Sequence, residues 1–205
     1  MTDAKVRGRP RGTTKRELEL IAMRLFTEQG FDETTVEQIA AAAGISGRTF
    51  FRYFPTKAEV LWYQFDAEVA ALRAAFATVP DEVPMMTAVR RVVVNANRYR
   101  AEDVPELRVR MQLVGGIPAL AATAGAHYDA WERAVSAFAA LRLGVPEDSL
   151  LAMAVGRTTL AAARAAFDAW LTRADADLTV YLDEALAALA RGFAPQAEEP
   201  DPPSS

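Results

Sequence analysis

Residues 34–57 read TTVEQIAAAAGISGRTFFRYFPTK, and their spacing decides the fold. Val36, Ile39, Ala40 and Ala43 fall at i, i+3, i+4 and i+7, the apolar stripe of a short amphipathic helix. Gly44 supplies the left-handed residue that ends it, and Ile45 turns back into the core. Ser46 is placed to cap the next helix through its hydroxyl. That helix begins with Gly47, Arg48 and Thr49, which leave its N-terminal end small, cationic and hydroxylated, while Phe50 and Phe54 anchor its back. A buried back with a polar, basic front is what helix-turn-helix reading of a DNA major groove requires.

The preceding segment completes a three-helix module. Leu18, Ile21, Ala22, Leu25 and Phe26 form a full core-facing stripe, opened by Thr14 and Glu17 as a capping box and closed by Gly30 and Phe31. Thr35 with Gln38, and Thr56 with Glu59, repeat the same box. Three such boxes, each opening an apolar-periodic run, are hard to attribute to chance.

The stretch GFDETTVEQIAAAAGISGRTFFRYFPTKAEVL resembles the DNA-binding signature of the TetR family of one-component bacterial regulators. The likeness covers about residues 14 to 62. It rests on T-[TV]-x-x-I-A-x-x-A-G-[IV]-S followed by an aromatic helix ending Y-F-x-[ST]-K. This resemblance implies a homodimer, an all-α ligand-binding and dimerisation domain after the module, and repression relieved by a small molecule. RTFFRYFPTKAEVLW, the VPDEVP loop and the RLGVPEDSL turn are also similar to the branch of the family associated with mycofactocin biosynthesis genes. That likeness implies, at most, a fatty acyl-CoA type ligand.

Charge is distributed as a DNA-binding module demands. Residues 1–57 carry ten Lys and Arg against seven Asp and Glu, while the remainder carries thirteen against twenty, and together they give the net −4. Positive charge thus gathers at the helix-turn-helix, and the acidic remainder is consistent with a domain kept off the duplex. There is no cysteine and a single histidine, His127, so neither a thiolate nor a multi-histidine metal site is available within one chain. No Gly-rich phosphate loop follows a strand, so catalytic residues, a metal and a cofactor are not expected. No apolar run approaches membrane-spanning length and the basic start leads into no signal-peptide core, so a soluble, cytoplasmic protein without membrane contact is expected.

The expected architecture is all-α. A basic arm at 1–12 is predicted to be disordered, as is a tail at 195–205 with four prolines and three acids. Between them lie a DNA-binding domain at 13–62 and a helical ligand-binding and dimerisation domain at 63–194. The module's last helix is predicted to run on past Ala75 as a connector. Helices are then predicted from about Met85 to Tyr99, from Pro105 through Leu113, through Trp131 to Leu143, from a cap at Asp148 or Ser149 to about Thr172, and from Asp177 to Arg191. Gly115, Gly116 and Pro118 are predicted to break the chain before the long helix. Leu160, Ala163, Phe167 and Leu171, with Leu178, Leu182, Ala185, Leu186 and Leu189, mark apolar stripes on the last two helices. They suit either packing inside one subunit or a four-helix seam with a twofold mate, and the resemblance favours the seam.

On the DNA side, Arg48 is the leading base reader, because a guanidinium grips guanine O6 and N7 together; a solvated arginine is the plainer alternative. Thr49 offers a hydroxyl and a methyl, and Gly47 permits close approach. Phe51 stands where relatives often carry tyrosine, leaving thymine-methyl contact in place of a phosphate bond. Tyr53 and Lys57 look like the family's phosphate contacts, Lys57 in the first turn of a helix where free N–H groups favour an anion and Thr35 at an equivalent helix start; Ser46 is a further DNA-side candidate. Tyr53 would alternatively complete the aromatic core. Arg7 and Arg9, in Arg7-Gly8-Arg9-Pro10, form either a minor-groove hook or a merely electrostatic arm.

On the effector side, Met111, Tyr128, Trp131, Phe167 and Trp170, with His127, are candidate cavity residues or ordinary core. Arg98 and Arg108 belong to a cationic run, Arg90 to Arg110, that is either a solvated face or the seat of an anionic head group. The expected partners are an operator duplex, a second copy of the chain and a small-molecule effector. The alternatives are a xenobiotic-responsive repressor of an efflux or catabolic gene, and a non-inducible architectural DNA-binding protein.

Overall fold

The computed structural model describes residues 13–173 and 175–192. The arm at 1–12, with Arg7 and Arg9, and the tail at 195–205 lie outside the described residues. All regular structure among the described residues is helical.

The DNA-binding module consists of α1 (Lys15–Gln29), α2 (Val36–Ala42) and α3 (Gly47–Tyr53). Both predicted boxes at the starts of α1 and α2 close reciprocally: Thr14 with Glu17, and Thr35 with Gln38. Gly44, at φ 68°, ends α2 in the left-handed region, and Ile45 N–H returns to Ala40 at 2.9 Å. The third box forms only by half. Thr56 Oγ1 accepts from Glu59 N–H at 3.3 Å, but the Glu59 carboxylate lies 3.3 Å from His127 Nε2 instead. A single 3₁₀ turn, Ala58–Leu61, succeeds this half-cap, and the connector is a separate helix, α4 (Tyr63–Ala77), rather than one continuous run.

The second domain comprises α4 with α5 (Met85–Ala96), α6 (Val104–Gly116), α7 (Pro118–Leu143), α8 (Leu150–Arg173) and α9 (Leu178–Gly192). α5 stops three residues short of the predicted Tyr99. Gly115 and Gly116 do not break the chain either, since α6 runs through both. The break is Ile117 alone, held extended at φ −111°, ψ 112° before Pro118, whose ring excludes the helical conformation from its predecessor. Ser149, not Asp148, caps α8, accepting from Ala152 N–H at 3.3 Å. The acidic 80–84 loop is tied down by Arg142, whose guanidinium donates to the carbonyls of Pro80, Asp81 and Val83.

Two apolar cores result. The module's own core, around Leu18, Ile39, Phe50 and Phe54, does not stop at the domain boundary. It continues through Leu61 and Trp62 onto Val114, Leu120 and Ala124 of α6 and α7. Trp62 Nε1 donates to Thr123 Oγ1 at 2.9 Å, and its indole stacks on the His127 ring with centroids 4.7 Å apart.

The stripes read from sequence on α8 and α9 pack within the subunit: Leu160, Ala163, Leu178, Leu182 and Leu186 are all buried. The seam expectation for those residues is therefore corrected, because their faces already meet α7, α5 and each other. α7 and α8 cross closely at Gly156, where an added Cβ would lie 2.2 Å from Ser136 Oγ and 2.6 Å from the Glu132 carbonyl. α8 also corrects an expectation: it is long and apolar enough to cross a membrane by length and composition. Its apolar residues Val155, Leu160 and Trp170 are buried in the core, while Arg157, Arg164 and Asp168 are exposed.

Candidate nucleic-acid interface and effector cavity

α3 buries Phe50 and presents its opposite face to solvent. Ser46 Oγ accepts from Thr49 N–H at 3.2 Å and pairs with Thr49 Oγ1 at 2.9 Å, so the Ser46 hydroxyl caps the helix and engages the Thr49 hydroxyl. Arg48 is exposed and makes no hydrogen bond or ion pair among the described residues. Its guanidinium is thus available at the N-terminal end of the helix. Phe51, 53% exposed, sits one position before Arg52 on the same outward surface. Gly47 is not forced by the protein's own packing, since an added Cβ would only reach Glu37 Oε1 at 3.6 Å.

Three candidates are engaged internally. The Tyr53 hydroxyl donates to the Thr13 carbonyl at 2.7 Å, and Thr13 Oγ1 donates to Ala43 O at 3.2 Å, pinning the root of the arm beside α2 and α3. The Lys57 ammonium donates to the carbonyls of Phe31 and Thr34 and lies 4.2 Å from the Phe31 ring centroid. Lys57 precedes a 3₁₀ turn rather than occupying the first turn of an α-helix, which corrects the expected geometry. Thr35 holds α2 through its capping box.

A cavity of about 470 Å³ lies between α4, α6, α7 and α8. Phe65, Tyr128, Trp131 and Phe167 give it aromatic walls, with Met111 beside them, and all of these but Phe65 are among the sequence candidates. Trp62 and Leu61 of the DNA-binding module's core also border it. The exposed lining residues Gln112, Gly115, Gly116, Ala121 and Thr172 mark its opening.

Four other candidates do not line this cavity. Arg98 is exposed and bonds Asn95. Arg108 stacks 3.8 Å over the buried Trp170 ring, and the pair borders a separate pocket of about 100 Å³. His127 is buried against Trp62, with Nδ1 2.8 Å from Asp66 and Nε2 3.3 Å from Glu59. It ties the module to α4 and α7 rather than facing a ligand.

The structure adds polar lining residues that the sequence reading missed, Glu68, Tyr99 and Arg164, and of the cationic run it places Arg110 in the wall. Glu68 lies on the inward stripe of α4 with Phe65, Leu72 and Phe76, and a carboxylate on such a stripe was the available signal. Tyr99 Oη donates to Glu68 Oε1 at 3.2 Å. Burial pushes the Glu68 carboxyl above the usual carboxylate range against the opposing pull of Tyr99 and Arg110.

Arg110 also leads back to the DNA-binding module. Its guanidinium meets Glu19 of α1 at 2.8 Å and Glu106 at 2.7 Å. Arg16 bonds both carboxylates as well, and Gln64 donates to Glu19 at 2.9 Å. Glu19 is 0% exposed and Arg110 7% exposed, so this is a buried ionic bridge between α1 and the cavity wall. Burial pushes the Glu19 carboxyl up, while Arg110 and Arg16 pull it down.

Residues 83–194 match the family description "MftR C-terminal domain", and residues 21–62 match "Bacterial regulatory proteins, tetR family". MftR of Mycobacterium tuberculosis, a mycofactocin biosynthesis transcriptional regulator, is 31% identical over 88% of this chain and 89% of its own length. The regulator TcmR of Streptomyces glaucescens is 33% identical over 80% of this chain and 76% of its own. Among solved structures, the TetR-family repressor FadR of Thermus thermophilus, in complex with lauroyl-CoA, is 25% identical with a TM-score of 0.57. That match covers 94% of this chain and all of FadR. With its helix-turn-helix, its all-helical second domain and these relatives, the chain is a member of the TetR family of DNA-binding transcriptional regulators and not an enzyme.

Proposed function

We propose that the chain is a repressor released from a pseudo-palindromic operator by an elongated apolar molecule, a long-chain acyl-CoA, bound in the cavity between α4, α6, α7 and α8. The observation that carries this reading is the shared wall. Leu61 and Trp62 are core residues of the DNA-binding module and lining residues of the cavity at once. An occupant that moves them acts on the module directly. A cavity of about 470 Å³ falls within the usual size for small-molecule sites, about 300–1,000 Å³. The lauroyl-CoA complex of FadR supports the acyl-thioester class. In this reading the acyl chain lies among the aromatic walls. Exposed Arg164, on α8 over Tyr128, takes the role first expected of Arg98 and Arg108 toward the anionic head.

Two copies pair through the outward faces of α8 and α9, where Leu151, Ala154, Thr158, Ala161, Ala165 and Val180 remain exposed or half-buried. The twofold then sets one α3 in each of two successive major grooves. Arg48 reads a base there, with Gly47, Thr49 and Phe51 alongside it. Ser46, Thr35, Tyr53 and Lys57 border the phosphates, and the arm bearing Arg7 and Arg9 leaves from Thr13 beside α3. Such a protein works in the cytoplasm.

Selecting binding sites from random DNA and then titrating the recovered operator complex with lauroyl- and palmitoyl-CoA tests this directly. The expected result is an inverted repeat whose complex dissolves on titration. Complexes left intact by acyl-CoAs but dissolved by a neutral or cationic drug-like molecule would replace the effector reading with a xenobiotic one.

A further inference from the structure

Within the aromatic cavity, one polar feature has no role in holding an alkyl chain. Glu68 projects from α4 between Phe65 and Leu72. Tyr99 Oη donates to its Oε1 at 3.2 Å, and Oε2 has no hydrogen-bond partner among the described residues. A carboxyl facing an apolar occupant with half its bonding capacity unmet carries a desolvation penalty, which the occupant can remove only by supplying the missing partner.

The surroundings narrow what that partner is. An ammonium group would suit the carboxylate and the aromatic walls, but it serves only the ionised form, and burial pulls Glu68 toward the protonated one. A second carboxylate would meet Glu68 as a like charge. A plain alkyl segment leaves Oε2 unpaired. A hydroxyl donates to the ionised form and accepts from the protonated one, so it serves a group whose burial favours protonation at either state. From the pairing of Glu68 with Tyr99 inside the aromatic cavity, we infer that the effector carries a neutral hydroxyl on its apolar body. Glu68 is then a specificity-determining residue that selects oxygenated over saturated chains.

This rests on the reading of the cavity as the effector site, and deepens it. Two matched pairs of probes test it: lauroyl-CoA with ω-hydroxylauroyl-CoA, and methyl laurate with methyl ω-hydroxylaurate. Binding is read from tryptophan fluorescence, since Trp62 and Trp131 both line the cavity. The native chain is expected to bind the hydroxylated member of each pair about tenfold more tightly, the size of one satisfied hydrogen bond plus the penalty it removes. Glu68→Gln, which keeps the shape and bonding capacity, is expected to retain most of that preference. Glu68→Leu is expected to abolish it and to bind the saturated member more tightly than the native chain does. Preference in the ester pair together with an operator complex that no thioester dissolves would support the hydroxyl inference while striking the acyl-CoA reading. Equal or tighter binding of the saturated members by the native chain, or an undiminished preference in Glu68→Leu, would overturn it.

Discussion

Arg48 and Lys57 stand nine positions apart in the same signature, yet the structure gives them different circumstances. Arg48 is unengaged at the start of α3, whereas the Lys57 ammonium bridges the carbonyls of Phe31 and Thr34. Arg48→Ala is expected to cost about 1–3 kcal/mol at one operator position and to relax preference there. Site selection on the variant checks this, and an unchanged base preference would remove Arg48 from the reading role. Lys57→Ala is expected to weaken binding to all sequences alike and also to lower the unfolding midpoint, because charge-assisted bonds to two carbonyls are lost, each contributing about 1–3 kcal/mol at most. Urea denaturation of the free protein separates the second effect from the first. The motif singled out the candidates for DNA contact because caps and turns are local. It did not reveal that Tyr53 and Lys57 are engaged internally, because their partners lie 40 and 26 residues away. Arg110 was not told apart from Arg108 within the cationic run for a related reason. Two positions on a helix are about 200° apart, and the cationic run showed only composition, not which face met the cavity.

Helix starts and stops were legible where the signal lies within one turn, as in the capping boxes at Thr14 and Thr35 and the left-handed Gly44, though the box at Thr56 forms only by half. Packing between elements was not legible. The stripes of α8 and α9 have the right period for either an internal or an external seam, and only the presence of α5 and α7 on those faces decides between them. Gly156 is a site of that kind: its missing Cβ lets α7 and α8 approach. Gly156→Ala gains up to about 1 kcal/mol of helix propensity, but overpacking against Ser136 and a backbone carbonyl costs about 1–3 kcal/mol or more, so net destabilisation is expected in thermal unfolding. The bridge between α1 and α6 makes a second prediction at this scale. Glu19→Ala leaves Arg110 with Glu106 as its carboxylate partner and is expected to cost about 1–3 kcal/mol, whereas Glu19→Leu combined with Arg110→Met is expected to recover most of that. Parallel urea titrations of the two variants check the contrast; equal losses would show that the pair does not act as a unit.

For the whole molecule, charge separation predicts salt dependence. If about six to ten phosphates are neutralised, operator affinity falls by roughly 10³ to 10⁵ between 50 and 200 mM salt. An anisotropy series over that range measures it, and a flat response would contradict the electrostatic account. Two parts of the chain, divided near Trp62, were expected from the sequence because the motif ends there and the charge balance turns acidic after residue 57. Their coupling was not, since it depends on Trp62, Val114 and Ala124 meeting in one core. Induction needs the ligand to favour the DNA-incompetent arrangement, and tenfold release requires about 1.4 kcal/mol of preference. The most direct test is a single titration of the operator complex with long-chain acyl-CoA, with tryptophan fluorescence reporting cavity occupancy and labelled-DNA anisotropy reporting release. Both signals are expected to change together over the same ligand range. A cavity that fills while the operator stays bound would contradict the coupling of cavity to DNA-binding module.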